Sequence, residues 1–290
     1  MLDNKIKIRP ANLKDCKSLF DWQSDKLSRT MFFNGSSPSI EEHEVWFKSS
    51  LCNVDRALYV GELGYKKLGV CRFDFLESEQ LAEVSINMNP SMRGCGLGKK
   101  FLFESIECYL EKNKYNLLAK VKPNNLASLN VFESAGFESF ASDEGMIVLR
   151  RDFKEVSFKE VNDQDVKVLL KLLEKRDYSI SHLNLPSKNE HLLFVKSKPY
   201  RYWAIVIEDN LPVGTVYIQS NNSIGLNLLQ QKKQLVHKIL RHIKTSFNPL
   251  KEVKSKAPPY FYVNISYANN KLGKILCELD ASPIQVSYKI

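Results

Sequence analysis

The chain has 290 residues, 43% hydrophobic and 26% charged, with a net charge of +9. This is globular composition with room for two domains, and no apolar run approaches the length of a membrane span. Six cysteines, at 16, 52, 71, 95, 108 and 277, form no C-x-x-C pair, so neither zinc nor a redox couple is indicated; reduced thiols in a cytoplasmic protein are expected. The opening M-L-D-N-K-I-K-I-R-P has no signal-peptide pattern. The positive charge suits an anionic ligand. Nucleic acid would suit it too, but the lysines are spread along the chain, so no nucleic-acid partner is expected; with no cysteine pair at metal-ligand spacing, no metal is expected either.

Lys5–Arg9 alternates and stops at Pro10, a short strand. Asn12 caps a helix over Asp15–Ser24, and Leu27–Pro38 reads as a loop or broken helix. Ser39-Ile40-Glu41-Glu42 is a capping box that opens a helix over Glu41–Ser49. Ala57–Leu63 and Leu68–Phe75 are strands joined at Gly64–Lys67, and Leu81–Met88 is a third. An amphipathic run, Lys99–Lys112, follows. Asn116–Val121 is a strand, a short helix runs to Ser134 and stops at Gly136, and Gly145–Arg151 closes the first half.

Between the strand Leu81–Met88 and the helix lies Arg93-Gly94-Cys95-Gly96-Leu97-Gly98. Three glycines in five positions permit backbone geometry that a Cβ resists. Strand, Gly-rich turn and helix N-terminus together gather free N–H groups around one point, an anion cradle, with Arg93 adding charge at its mouth. The spacing is not G-x-G-x-x-G, and no G-K-[ST] closes the turn, which excludes the dinucleotide fingerprint and the P-loop. A Gly-rich turn alone serves structure as often as function.

Arg93-x-x-Gly96-x-Gly98, followed about 30 residues on by Asn125-x-x-Ser128-x-x-x-Phe132-x-x-x-Gly136-Phe137, resembles the two signatures of the GNAT acetyltransferase superfamily. The resemblance implies an α+β fold, a mixed central sheet flanked by helices, over residues 1–153. It implies acetyl-CoA as cofactor, with the pyrophosphate on the amides of Arg93, Gly94, Cys95, Gly96, Leu97, Gly98 and Lys99. The pantetheine would pair with the strand at Ile86 and Met88, and Asn125, Ser128 and Phe132 would face the cofactor. Many relatives carry a thiolate-protonating Tyr where Phe132 stands, and Phe cannot donate a proton. Asp15-Cys16, Trp22, Ile40-x-x-Glu42-His43-x-x-Trp46-Phe47 and Gly69-x-x-Arg72-Phe73-Asp74 further resemble the nucleotide-sugar N-acetyltransferases of pseudaminic and related nonulosonic acid pathways. GNAT enzymes that acetylate ribosomal protein N-termini share some of this pattern.

An amine must lose a proton before it attacks a thioester, and a modest base suffices. Glu83, mid-strand and on the face opposite Val84 and Ile86, is either that base or part of a solvated face. His43 is either a core histidine beside Trp46 or a wall of the acceptor pocket and the next candidate base. Trp22 and Trp46 are candidates to lie against a uracil or sugar ring. Arg72 either meets an acceptor diphosphate or pairs with Asp74. Lys99 and Lys100 oppose the helix dipole, a cost that a CoA phosphate nearby would offset.

Beyond Phe153 the chain echoes itself. Asn162-x-x-Asp165-x-Lys167 follows Asn12-x-x-Asp15-x-Lys17, Pro186-Ser187-x-x-Glu190-His191 follows Pro38-Ser39-x-x-Glu42-His43, Gly214 follows Gly69, and Asn269-Asn270 follows Asn124-Asn125. This order predicts a duplicated fold. Gly273 and Cys277 then stand at the places of Ser128 and Phe132, and no R-x-x-G-x-G recurs. Residues 154–290 are therefore expected to be a degenerate GNAT-like domain that packs on the first, shapes the acceptor pocket or mediates assembly, homo-oligomers included. The expected function is acetylation of a nucleotide-linked amino sugar by direct attack on the thioester. A protein or peptide N-terminal acetyltransferase, and a non-catalytic CoA-binding or scaffold protein, are the alternatives.

Overall fold

The computed structural model describes residues 5–31, 38–143, 145–178, 185–254 and 256–286. Met1–Asn4, the start of the opening stretch, and residues 32–37 of the expected loop lie outside them. The chain divides into two compact units, Met1–Phe153 and Lys154–Ile290.

In the first unit β1 (Lys7–Pro10) leads to a short turn capped by Asn12, then α1 (Cys16–Ser24), α2 (Lys26–Met31) and α3 (Ile40–Cys52). Ser39 and Glu42 close a reciprocal capping box on α3, which satisfies two otherwise free amides. β2 (Arg56–Leu63), β3 (Lys66–Leu76) and β4 (Leu81–Met88) form an antiparallel meander. α4 (Leu97–Leu110), β5 (Asn116–Val121), α5 (Leu126–Ser134), β6 (Glu138–Asp143) and β7 (Met146–Arg151) follow. The sheet order is β1-β2-β3-β4-β5-β7-β6, and only β4 and β5 run parallel. Of the two readings of Leu27–Pro38, loop or broken helix, the described part as far as Met31 is helix, within α2. The exposed strand β6 was not expected: its residues carry no apolar alternation.

The pleat divides the work of the sheet. Phe73, Ala82, Val84, Leu117 and Ala119 face α4, whose Phe101, Leu102, Ile106 and Tyr109 complete a core; each such large side chain contributes about 1.5–3 kcal/mol when buried. The opposite face carries Leu58 and Val60 under Leu19 and Trp22 of α1 and Phe47 of α3.

The second unit repeats the plan. β8 (Val156–Glu160), α6 (Val166–Glu174), α7 (Lys188–Lys196), β9 (Tyr202–Glu208), β10 (Leu211–Ile218), β11 (Ser223–Leu228), α8 (Lys233–Ser246), β12 (Tyr262–Val263) and α9 (Asn270–Glu278) follow in order. The sheet runs β8-β9-β10-β11-β12, with only β11 and β12 parallel. This matches β1 to β5 in order and direction; β6 and β7 have no counterpart among the described residues. Small features recur as well. Asn12 and Asn162 each build a capping box with a buried aspartate, Asp15 or Asp165, that is bound to a cation from the first strand, Arg9 or Lys159. A Cβ at Gly69 would stand 2.5 Å from the Asn87 carbonyl oxygen, and one at Gly214 would collide with the carbonyl of Asn227 in the same register.

One correspondence shifts by a residue. The side chain of Asn125 caps α5 by accepting from Ser128 N, and that of Asn269 caps α9 by accepting from Leu272 N. Asn125 therefore answers to Asn269, and Leu272 and Leu276, not Gly273 and Cys277, stand where Ser128 and Phe132 stand. The twin asparagines hide this in the sequence, whereas the cap geometry fixes the frame.

Candidate active site

β4 and β5 pair only over Leu81–Glu83 and Asn116–Leu118. Beyond Glu83 the two strands diverge, and β4 continues to Met88 without a partner on that side. An extended chain inserted there would find free backbone groups at Val84–Met88. A proline-led turn (Pro90–Met92) and the glycine loop then lead into α4. Gly94 and Gly96 both hold φ near +74°, where a side chain would be strained, and the space around them is open. α4 has no side-chain cap and no acid in its first turn. Its first amides thus stay available, at the positive end of the dipole, for an anion. Met88 and Val131 border Gly98. This arrangement fits a CoA whose pyrophosphate lies on the loop amides and whose pantetheine lies along β4.

The residues expected around the cofactor divide. Gly94, Cys95, Gly96, Leu97, Gly98 and Lys99 lie at the loop and helix start, and Ile86 and Met88 lie on the unpaired stretch of β4. Arg93 does not stand as a free charge at the mouth. Its Nη1 meets Asp25 at 2.6 Å, and its Nη2 donates to Ser28 Oγ at 2.5 Å and to the Met88 carbonyl at 3.3 Å. Asn125 Oδ1 is engaged by Ser128 N as the α5 cap. Phe132 is 3% exposed and packs edge-on against Phe137.

On the acceptor side, Glu83, Ser85 and Asn87 share one face of β4, opposite Asp74, Arg72 and Val70 of β3. Asp74 binds Arg56 and, at 2.8 Å, Arg72 Nε, so the Arg72–Asp74 pairing is the one that forms. The Arg72 side chain keeps 35% exposure, and its Nη1 and Nη2 have no hydrogen bond among the described residues.

Of the two readings of His43, a core histidine beside Trp46 or a wall of the acceptor pocket, the structure places it in the core. It is 1% exposed, donates from Nε2 to the Cys16 carbonyl at 3.1 Å and lies among Phe20, Trp46 and Phe47. Burial lowers its pKa, while the Cys16 contact pulls the other way. It is a core histidine joining α1 to α3. His191, at its place in the second unit, is buried too and bonds the backbone of Val166, the counterpart of Cys16. Trp22 is core as well, and Trp46 lies under the Arg56 guanidinium, 5.7 Å from its carbon. Sequence reasoning missed Asp25 and Ser28, which meet Arg93 from 65 or more positions away. No local pattern marks them.

The net charge does not bear on this site as expected. Residues 1–153 hold 21 Lys and Arg against 21 Asp and Glu, and residues 154–290 hold 21 against 12. The whole excess lies in the half without the glycine loop.

A family model described as the acetyltransferase (GNAT) domain matches residues 5–138. The first half is thus a GNAT acetyltransferase domain, and the chain is an acetyl-CoA-dependent N-acetyltransferase in that half. Comparison with curated protein sequences finds no match. Among solved structures, the aminoglycoside acetyltransferase AAC(6')-Ib in complex with coenzyme A is 17% identical, with a TM-score of 0.46, over 51% of this chain and 95% of that one. A domain from Methanocaldococcus jannaschii is 23% identical, TM-score 0.46, over 52% and 100%. Spermidine N-acetyltransferase from Vibrio cholerae, with CoA and spermine, is 14% identical, TM-score 0.45, over 51% and 94%. No helix among the described residues is long and apolar enough to cross a membrane.

Proposed function

We propose that the first unit transfers the acetyl group of acetyl-CoA to the amino group of a nucleotide-linked amino sugar, with Glu83 as the base. The observation that carries the transfer is the opening of β4 from β5 beyond Glu83, ending at an uncapped helix behind two left-handed glycines. Acetyl-CoA, when bound, supplies the acyl group as a thioester. The chain's own groups do the rest. The loop amides hold the anionic end, and the free backbone groups of β4 align the extended arm. Glu83, at the point of divergence, takes the ammonium proton directly or through water. Holding amine and thioester together contributes much of the rate. With His43 in the core, Glu83 is the remaining candidate base; with Phe at position 132, departure of the thiolate without an acid is tolerable for so acidic a leaving group. The cysteines have no role as nucleophiles.

Support for an anionic acceptor comes from Arg72. It lies one register pair from Glu83 on the same face, so the two side chains start about 7 Å apart, and its terminal nitrogens still have donors to give. A phosphate at Arg72 would set a nearby amine against Glu83. The test is release of free thiol from acetyl-CoA in the presence of UDP-linked 4-amino sugars, with amino-terminal peptides as the competing class. Turnover confined to peptides would refute the sugar reading, and turnover with neither would refute both.

We read the second unit as a degenerate GNAT-like domain. Its β11–α8 connection, Leu229–Lys232, is four residues long against eight in Asn89–Gly96, and it contains no glycine. Tyr217 stands at the place of Arg72 and stacks on Tyr200 with centroids 4.0 Å apart, so aromatic rings occupy the face that bears the polar strip in the first unit.

A further inference from the structure

Arg93 belongs to the cofactor loop, but its guanidinium crosses to the elbow between α1 and α2. Asp25 sits at that elbow, caps α2 by accepting from Ser28 N at 3.0 Å, and holds Arg93 Nη1 at 2.6 Å. Ser28 accepts from Arg93 Nη2 and donates to Asn87 Oδ1 at 3.2 Å. Asn87 lies on the face of β4 that carries Glu83. At the other side of the opening, Lys122, just past β5, donates from Nζ to the Thr30 carbonyl of α2 at 3.0 Å. The short helix α2 is therefore tied to both diverging strands, over the same face as Glu83, and one of its ties comes from the loop that meets the cofactor. A loop residue needed only as a phosphate ligand would not be occupied by an aspartate on another element. An aspartate needed only to cap α2 would not require an arginine.

We propose that Asp25 and Ser28 are positioning residues. Through Arg93 they set α2, the wall at the end of the acceptor strip, in register with the cofactor loop, so that occupancy of the loop is felt at α2. This rests on the acetyltransferase reading of the loop but not on the identity of the acceptor. The coupling runs through contiguous polar contacts, and each group keeps a contact outside the clasp: Asp25 with Ser28 N, Ser28 with Asn87 and Arg93 with the Met88 carbonyl.

The experiment uses the full chain and CoA itself as the probe. Amide hydrogen exchange over residues 26–31 is measured with and without CoA, and CoA affinity is measured by calorimetry, in the wild type and in Asp25→Asn, Ser28→Ala and Asp25→Glu. Asn caps a helix as well as Asp does but lacks the charge for Arg93, so Asp25→Asn separates the clasp from the cap. In the wild type, CoA should slow exchange over 26–31 by about tenfold, within the usual range of coupling between two sites. Asp25→Asn and Ser28→Ala should lose most of that response while keeping CoA affinity within about threefold, well short of one tenfold step, and Asp25→Glu should keep the response. CoA binding with no change at 26–31 in the wild type would overturn the proposal and leave the enzyme reading intact. So would an equal response in Asp25→Asn. A loss of CoA affinity in Asp25→Asn as large as the loss of response would make Asp25 part of the cofactor seat and overturn it too. No CoA binding by the wild type would overturn the reading on which it rests.

Discussion

At the scale of single residues, the proposed transfer rests on one carboxylate. Glu83→Gln should lower kcat by roughly 10²–10⁴ near neutral pH, with acetyl-CoA affinity unchanged because the glycine loop is untouched. The rate should recover in part as pH rises, since the amine then deprotonates unaided; steady-state kinetics across pH checks this, and near-wild-type turnover would place the base elsewhere. The histidines act on stability instead. Burial holds His43, His191 and His242 below the ordinary histidine pKa. The unfolded chain therefore binds protons near pH 6.5 that the folded chain refuses, and stability falls as pH drops through that point. Asp15 titrates lower still: burial works against its charge, but Arg9 and Lys67 outweigh it, so its contribution is lost only in stronger acid. Urea unfolding at pH 7.5 and 5.5 should give the lower stability at 5.5, and an equal or higher value would contradict the burial argument.

At the scale of elements, the glycines divide into two kinds. Gly96 gives a backbone conformation to an open loop, so Gly96→Asp should fold but lose CoA binding in calorimetry, because a charged side chain would stand where the pyrophosphate approaches. Gly69 gives close approach: its Cβ would press on the carbonyl of Asn87 and on Met88. Gly69→Ala should cost about 1–3 kcal/mol of stability, read as a lower urea midpoint, because backbone has to move. Capping was legible from sequence at this scale. The Ser39–Glu42 box and the N-cap of Asn12 are local chemistry, and both stand where the residues predict them. The short helix α2 was legible only as one of two readings, loop or broken helix, since Lys26–Met31 has neither clear period nor length. Arg93 was legible as part of a motif but not in its role, because its partners Asp25 and Ser28 are brought to it only by folding.

At the scale of the whole molecule, two units share the order of five strands but differ in the loop before the helix that follows the fourth strand. The full chain should bind one CoA in calorimetry, and Gly96→Asp should abolish all of it; a second equivalent, or binding that survives the substitution, would mean that the Leu229–Lys232 connection also seats the cofactor. The second unit keeps what the fold requires, namely the capping boxes, the buried aspartate with its cation, the core histidine and the close-approach glycine. It lacks the long glycine loop that an anion requires.

The sequence by itself determined the loop, the helix behind it and the places of most strands along the first half, because glycine spacing, caps and alternation act over a few residues and need no distant partner. It also carried the ordered echoes of the second half. The tertiary structure alone decided which residues face the site. His43, Trp22 and Phe132 have the chemistry of a site but lie in the core, because the sheet packs the helices on both of its faces and buries the side chains at those positions. Arg93 is drawn to Asp25 at the elbow between α1 and α2, 68 positions away, whereas Arg72 meets Asp74 two positions along its own strand. Whether an arginine is free for a ligand depends on which acids the fold places within about 3 Å of it, and sequence distance does not record that.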